Sequence, residues 1–184
     1  MLCVTLRSLV KHCVRARMEK RPKIKPEPTA LDRLLEMAGY AMLAFIWIVT
    51  LYFYRKLPET IPTHFNATGT ADDYGSKSSV FLLPVLGTVL FIGISILNRF
   101  PHIFNYPVKI TPENALRQYT MATRMIRVLK LSVLIVFTLI TWLTGHAAIN
   151  QTGSIGAWLM PVVLIFFFAP LAYYIVKSFR DKKN

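Results

Sequence analysis

The chain has 184 residues, of which 54% are hydrophobic and 17% charged, and its formal net charge is +13 at pH 7. A soluble domain of this size cannot hide so much apolar surface, so the composition excludes an ordinary soluble protein. The basic residues lie in blocks beside apolar runs instead of forming one stripe, which argues against nucleic-acid binding and indicates a membrane protein.

The first 33 residues form a basic N-terminal segment. Residues 6–17 place cations and apolar side chains at helical spacing, which is typical of an amphipathic helix on anionic headgroups. The alternative is that translation begins at Met18 and that residues 1–17 are not made. Cys3 and Cys13 have no zinc-site spacing, so we expect reduced, unpaired thiols. The prolines within 21–28 predict a linker that is not helical.

Four stretches are apolar enough to cross the ~30 Å hydrocarbon core of a bilayer as helices. The first two are the uncharged stretches 37–54 and 78–98. A longer run, 131–176, has 46 residues without Lys, Arg, Asp or Glu, so it must fold back at the turn-like residues 145–156. The predicted fold class is an all-α integral membrane protein with four transmembrane helices, at about 36–55, 78–98, 128–149 and 157–176.

The distribution of Lys and Arg predicts the orientation. Nineteen lie in the N-terminal segment, in 99–130 and after residue 176, whereas three lie in the loop between the first two spans. The positive-inside rule therefore predicts that both termini and 99–130 are cytoplasmic. We divide the chain into 1–33, a four-helix membrane domain at 34–177 and a basic cytoplasmic tail at 178–184. The predicted location is the bacterial cytoplasmic membrane, as a multi-pass protein.

The uncharged stretches contain threonine and serine but no Lys, Arg, Asp or Glu. Pumps and proton-coupled transporters place titratable groups at membrane depth, because such groups bind the ion that moves. We therefore predict that the polar residues serve helix packing, and that the protein has neither a conduction path nor a cofactor.

The loop LPETIPTHFNATGTADDYGSK, at 57–77, holds most of the polar chemistry. Its prolines stiffen the chain, Thr63–Phe65 has strand character, and Asn66–Gly69 is typical of a tight turn, so we expect a compact outward cap. The serines at its end are suited to capping the second span.

Two interpretations of this loop remain open. In one, His64 and Asp72 form a metal or acid–base pair, with His146 as a third member. In the other, Asp72 or Asp73 pairs with Lys77, and the histidines are structural.

The inner loop contains a second helix signal. Thr111, Pro112 and Glu113 have the pattern of a helix start, so we expect an interfacial helix that continues into the third span. Its basic side chains are predicted to contact lipid or a cytoplasmic partner: Arg117, Arg124, Arg127 and Lys130.

The pattern LP-x-x-IP-x-HFN-x-x-G-x-x-D-x-Y-G-x-K at 57–77 resembles the bacterial membrane proteins grouped as domain of unknown function 1648. Together with the inner loop, the resemblance covers roughly 34–176. Ala71 departs from the pattern, since relatives often have proline there. The resemblance implies a ligand-binding or structural motif consisting of His64, Asn66, Gly69, Asp72, Tyr74, Gly75 and Lys77.

The resemblance extends to the N-terminal part of immunity proteins that protect a bacterium from a secreted killing peptide and, in some cases, sequester a repressor at the membrane. Those relatives carry further membrane segments. We therefore predict a non-enzymatic membrane protein that senses a ligand or toxic peptide outside, with the lipid bilayer and a cytoplasmic regulator as further partners and no nucleic acid. The alternatives are a metal-dependent membrane enzyme using His64 and Asp72, and an accessory subunit of a larger membrane complex.

Overall fold

The computed structural model describes residues 21–180 and consists mainly of four long helices. The helix pair at the N-terminal side is joined by a small β-hairpin, and a 3-10 turn, Lys77–Phe81, leads into the second helix. Four helical segments are long and apolar enough to cross a membrane, so the predicted four-span helical class is confirmed. The helices are α1 (Ala30–Tyr54), α2 (Leu82–Leu97), α3 (Ala115–Asn150) and α4 (Leu159–Arg180).

Several sequence predictions concern residues outside the described range. They are the amphipathic helix at 6–17, the alternative start at Met18, the thiols of Cys3 and Cys13, and the last part of the basic tail. The linker at 21–28, which is described, contains no helix, as its prolines predict.

α1 begins six residues before the predicted span because its first turn is capped. The side chain of Thr29 accepts a hydrogen bond from the Asp32 amide, and the Asp32 carboxylate accepts one from the Thr29 amide at 2.9 Å. This reciprocal arrangement satisfies two amides that a helix end would otherwise leave unpaired. The letters TALD carry the signal in the sequence, with an acid three residues after the cap.

α3 is the central helix and packs against α1, α2 and α4. The expected helix of the inner loop continues into the third span, since α3 runs without a break for 36 residues from Ala115. Its first turn follows a hydrogen-bonded turn in which the Ala115 amide donates to the Thr111 carbonyl at 2.9 Å. Asn114, not Thr111, is the residue before the regular helix, and its side-chain oxygen accepts from the Thr111 amide at 2.9 Å.

α4 is attached mainly through α3 and leaves most of its surface uncovered by protein. Within Leu159–Arg180, only Leu159, Tyr174 and Ser178 are buried. The large apolar side chains exposed on this helix and on α1 and α2 are the surface that a bilayer covers, since lipid tails solvate them at no hydrophobic cost.

The predicted outward cap is an antiparallel β-hairpin of β1 (Thr60–Phe65) and β2 (Ala71–Ser76). Only the first strand was anticipated from the sequence. The turn between them is organised by Asn66, whose side-chain oxygen accepts from the amides of Thr68 and Thr70 at 3.0 and 3.1 Å. Such bonding is the reason that asparagine is common at turn starts.

The hairpin tip is hydrogen-bonded to the loop between α3 and α4. The carbonyl of Gly69 accepts from the Ile155 amide at 2.8 Å, and the Ala71 amide donates to the Gly153 carbonyl at 2.8 Å. Two loops that the charge pattern predicts on the same side of the membrane therefore meet at one end of the bundle.

Replacing Gly69 by alanine is expected to weaken this docking. Gly69 has φ +78°, and a β-carbon there would lie 2.6 Å from the Gly156 carbonyl oxygen, so both strain and collision oppose the substitution. We expect a loss of about 1–2 kcal/mol in the free energy of unfolding, together with faster hydrogen exchange at the Ile155 and Ala71 amides. Gly93→Ala is the control, because a β-carbon at Gly93 meets nothing within 4 Å. Equal exchange rates in the two variants would contradict the expectation.

Candidate functional site

The hairpin brings His64 and Asp72 together, as the sequence hypothesis required. His64 Nδ1 lies 2.5 Å from Asp72 Oδ1, and the two side chains are 68% and 45% exposed. The carboxylate orients the imidazole, but the pair is open to solvent, where such an interaction adds little to stability. This pair is therefore open to solvent at the hairpin end of the molecule.

The other polar residues of the motif mainly hold the hairpin. Lys77 Nζ donates to Glu59 Oε1 at 2.7 Å, so its partner is Glu59 and not Asp72 or Asp73. Asp73 accepts hydrogen bonds from Thr63 at 3.3 Å and from the Tyr74 amide at 2.9 Å. The motif glycine Gly75 lies against Thr63, where a β-carbon would approach the Thr63 methyl group to 3.0 Å, and Tyr74 is exposed.

The motif's apolar residues form the underside of the hairpin. Leu57 and Ile61 are buried together with Phe53 of α1 and Val80 of the 3-10 turn. Phe65 packs instead against a second buried cluster that contains Ile155 and Leu159. The apolar residues of this loop therefore form the buried underside of the hairpin, although burial does not alternate strictly along β1, where two neighbouring residues are both buried.

A cavity of about 300 Å³ lies below the hairpin, between β1, α2, α3 and the start of α4. Its walls are mostly apolar, and a few polar groups, including those of His64 and Thr144, reach it. Ligand sites commonly combine an apolar wall with a small number of polar groups that fix orientation. The principal apolar wall residues are Ile61, Phe65, Val80, Leu83, Ile140 and Ile155.

His146 does not join His64 and Asp72. Its ring packs against Phe53 and Trp142, with centroid distances of 5.5 and 5.0 Å. Within residues 21–180, no three His, Cys, Asp or Glu side chains are grouped so that they could hold a metal ion.

At the opposite end of the bundle, basic side chains of α3 pair with acidic side chains of α1. Arg124 donates to both carboxylate oxygens of Asp32, at 2.9 and 3.2 Å. Arg127 lies between the two acids, 3.8 Å from Asp32 and 3.7 Å from Glu36. We call Asp32, Glu36, Arg124, Arg127 and Lys130 the inner ion-pair ladder.

Lys130 is the most deeply placed member of the ladder and is only 2% exposed. Its ammonium group donates to Glu36 Oε1 at 2.7 Å and to Ser95 at 2.9 Å, and it lies 4.1 Å from the centre of the Phe91 ring. The expectation that the helices contain no ionisable group at depth was wrong for the full helices, which extend past the uncharged stretches. At ~1.5 Å per residue, Lys130 lies roughly 22 Å along α3 from Gly145, a distance shorter than the ~30 Å thickness of the hydrocarbon core.

The sequence interpretation assigned Arg117, Arg124, Arg127 and Lys130 to contact with lipid or a partner. In the structure, Arg124, Arg127 and Lys130 contact α1, an intramolecular role that the interpretation did not include. Contact with lipid or a partner stays a prediction for the exposed parts of this face.

No polar chain continues outward from the ladder within the described helices. The hydroxyl groups of Thr138 and Thr141 donate to carbonyls of their own helix, at 2.7 and 2.8 Å, and that of Thr50 does the same at 2.8 Å. Groups satisfied in this way are not arranged as a relay, so the ladder is better suited to fastening α1 to α3 than to moving a proton.

The hairpin and the adjoining parts of α1 and α2 match the sequence model of a known protein family. Residues 41–88 match the family model described as Domain of unknown function (DUF1648). The matched DUF1648 segment runs from within α1, through the hairpin, into α2. It includes every residue of the outward motif, whereas α3, α4 and all residues of the ladder lie outside it.

A protein of Archaeoglobus fulgidus, described as uncharacterized, is 31% identical to this chain over 93 residues. The match covers 46% of this chain and 51% of that protein, so the chain spans about half the length of its curated relative. Because this relative is archaeal, similar chains are not confined to bacteria, and a bacterial membrane stays a prediction. No solved structure matches the chain.

The ladder is the feature that sequence reasoning missed. Asp32 and Glu36 are four residues apart, and Arg124, Arg127 and Lys130 follow at intervals of three, so each set lies on one helix face. This spacing is the signal that could have found it. The DUF1648 motif, by contrast, was visible because its residues are close together in sequence.

Proposed function

We propose that the hairpin end of this multi-pass membrane protein binds an apolar part of an extracytoplasmic ligand, and that the ligand is a membrane-active peptide. The observation that carries the proposal is the cavity of about 300 Å³ directly below the DUF1648 hairpin. A pocket of that size accepts one or two large apolar side chains, and a peptide that partitions into the bilayer exposes such side chains.

Charge supports a peptide that carries cations. Asp72 and Asp73 on β2 are both exposed, while Lys77, at the end of the hairpin, is paired with Glu59. A basic amphipathic peptide could place its apolar face in the cavity and a cation beside these carboxylates. Protection against a secreted killing peptide, as the resemblance implies, is then the proposed biological role, and a cytoplasmic regulator or a larger complex would act on the opposite face.

The metal-dependent enzyme receives less support from the geometry. His64 and Asp72 supply two potential ligands, and His146 packs away from them on aromatic rings. A catalytic zinc site ordinarily has three protein ligands and an open position.

Filling the cavity should abolish protection without unfolding the protein. Thr144 lines the cavity, so Thr144→Phe places a ring in the space that the ligand would occupy. We expect a strain lacking the gene to become several-fold more sensitive to cationic amphipathic peptides, and complementation by the wild type, but not by Thr144→Phe, to restore resistance.

Leu86→Phe is the matched control, because Leu86 is 42% exposed on the outer surface of α2 and an added ring there meets lipid. Both variants should unfold at the wild-type detergent concentration. Unchanged sensitivity of the deletion strain across the peptide panel, or full protection by a folded Thr144→Phe variant, would reject the proposed function.

A further inference from the structure

A second cavity, of about 260 Å³, lies at the inner end of the bundle, between the linker, α1, α2 and α3. Its position is fixed because the linker is held in place. Arg21 donates to the carbonyls of His102 and Phe104 at 3.1 and 2.6 Å, and the Tyr119 hydroxyl donates to the Pro22 carbonyl at 3.2 Å. The wall formed by the linker is therefore part of the folded structure.

The mouth of this inner cavity carries three cations, those of Lys25, Arg33 and Arg99. All three residues are exposed, and within 21–180 none of them forms an ion pair with a carboxylate, unlike the cations of the ladder. An unpaired cluster of lysine and arginine at the inner membrane face is a site for a phosphate group.

The floor of the inner cavity carries hydrogen-bond acceptors, in contrast to the cations at its mouth. The buried oxygens Asn98 Oδ1 and Glu36 Oε2 accept no hydrogen bond from any described residue, and both residues line the cavity. Glu36 Oε2 lies 3.7 Å from Arg127 Nε, beyond hydrogen-bond length. Both oxygens are almost fully covered by protein, and buried acceptors normally have donors, which a guest in the cavity can supply once the two side chains turn toward it.

We propose that the inner cavity binds a polyol phosphate, the headgroup chemistry of phosphatidylglycerol. The phosphate lies among Lys25, Arg33 and Arg99, and its hydroxyl groups donate to Asn98 and Glu36. Hydroxyl donors fit better than an ammonium group because the surrounding side chains, which include Arg127 and Lys130, already carry an excess of positive charge. This site is separate from the hairpin end and does not depend on the function proposed there.

Native mass spectrometry of the full chain tests the proposal with three probes: phosphatidylglycerol, phosphatidic acid and phosphatidylethanolamine. We expect one retained phosphatidylglycerol per chain, weaker retention of phosphatidic acid, which lacks headgroup hydroxyls, and the weakest retention of phosphatidylethanolamine. The double variant Arg33→Gln/Arg99→Gln should bind phosphatidylglycerol roughly tenfold more weakly, whereas Lys109→Gln, an exposed cation away from the cavity, should leave retention unchanged.

Soluble glycerol 3-phosphate distinguishes the two sources of this chemistry. Displacement of the lipid by millimolar glycerol 3-phosphate supports the site and assigns it to a soluble ligand, whereas no displacement supports a lipid. Equal retention of all three lipids would overturn the proposal. So would wild-type retention by the double variant, provided that detergent unfolding shows both proteins to be folded.

Discussion

Lys130→Met should lower the free energy of unfolding by on the order of 3 kcal/mol, the largest effect of any single substitution in the ladder. Lys130 is 2% exposed, and its ammonium group is the hydrogen-bond donor to Glu36 Oε1. Without it, the Glu36 carboxylate keeps only the more distant Arg127, at 3.7 Å. The Glu36 side chain is 33% exposed, so water offsets part of the cost of its unpaired charge, and the remaining cost adds to that of the lost contact. The measurement is detergent-induced unfolding of the purified full chain.

The second substitution, Glu36→Met, identifies charge as the cause. Removing both partners replaces the ion pair by apolar groups of similar volume, which is often neutral, so the double variant should be more stable than Lys130→Met alone. Lys109→Met is the control for losing a lysine at an exposed position, and we expect it to change stability by less than about 0.5 kcal/mol. A double variant no more stable than the single one would contradict the charge argument.

Gly145→Val is expected to separate the outer ends of α1 and α3 and to cost about 3 kcal/mol of unfolding free energy. A β-carbon at Gly145 would lie 2.5 Å from Cγ and 2.8 Å from Cε1 of the Phe53 ring. That ring is 1% exposed and is held by the neighbouring rings of Trp142 and His146, so it has little room to withdraw. The methyl groups of valine add to the collision.

Shortening the opposing side chain should relieve this collision. Phe53→Leu alone leaves a space and lowers stability, yet combined with Gly145→Val it should recover part of the loss, because the leucine gives up the volume that valine occupies. Gly93→Val is the matched control, since a β-carbon at Gly93 meets nothing within 4 Å. If Gly145→Val were as stable as the wild type, close packing of α1 on α3 at this point would be disproved.

The four spans were predictable because the thickness of the hydrocarbon core sets their length. Uncharged apolar stretches of that length are visible in the amino-acid sequence alone. Span limits were less predictable. α1 starts at Ala30 because Thr29 and Asp32 form a cap, and α3 absorbs the expected interfacial segment because no helix breaker lies between Ala115 and the apolar run. Local hydrogen bonds, which hydropathy does not measure, decide both boundaries.

Of the candidate site, too, one part was predictable from the sequence and another part was not. The turn at Asn66 and the meeting of His64 with Asp72 follow from residues less than ten positions apart. The partner of Lys77 is Glu59, 18 residues earlier, because the strand register brings them together. The ladder and both cavities depend on which helices become neighbours, and that choice is made by packing across the bundle, over more than 90 residues of sequence.

The docking of the hairpin tip has a consequence for how this architecture can be reused. The DUF1648 segment ends at residue 88, yet Gly69 and Ala71 find their main-chain partners at Ile155 and Gly153. During biogenesis the tip therefore cannot reach its final state until the α3–α4 loop has emerged on the same side. A protein that grafts this segment onto different downstream helices must present an equivalent stretch of free backbone there, so the unit is portable only together with an acceptor loop.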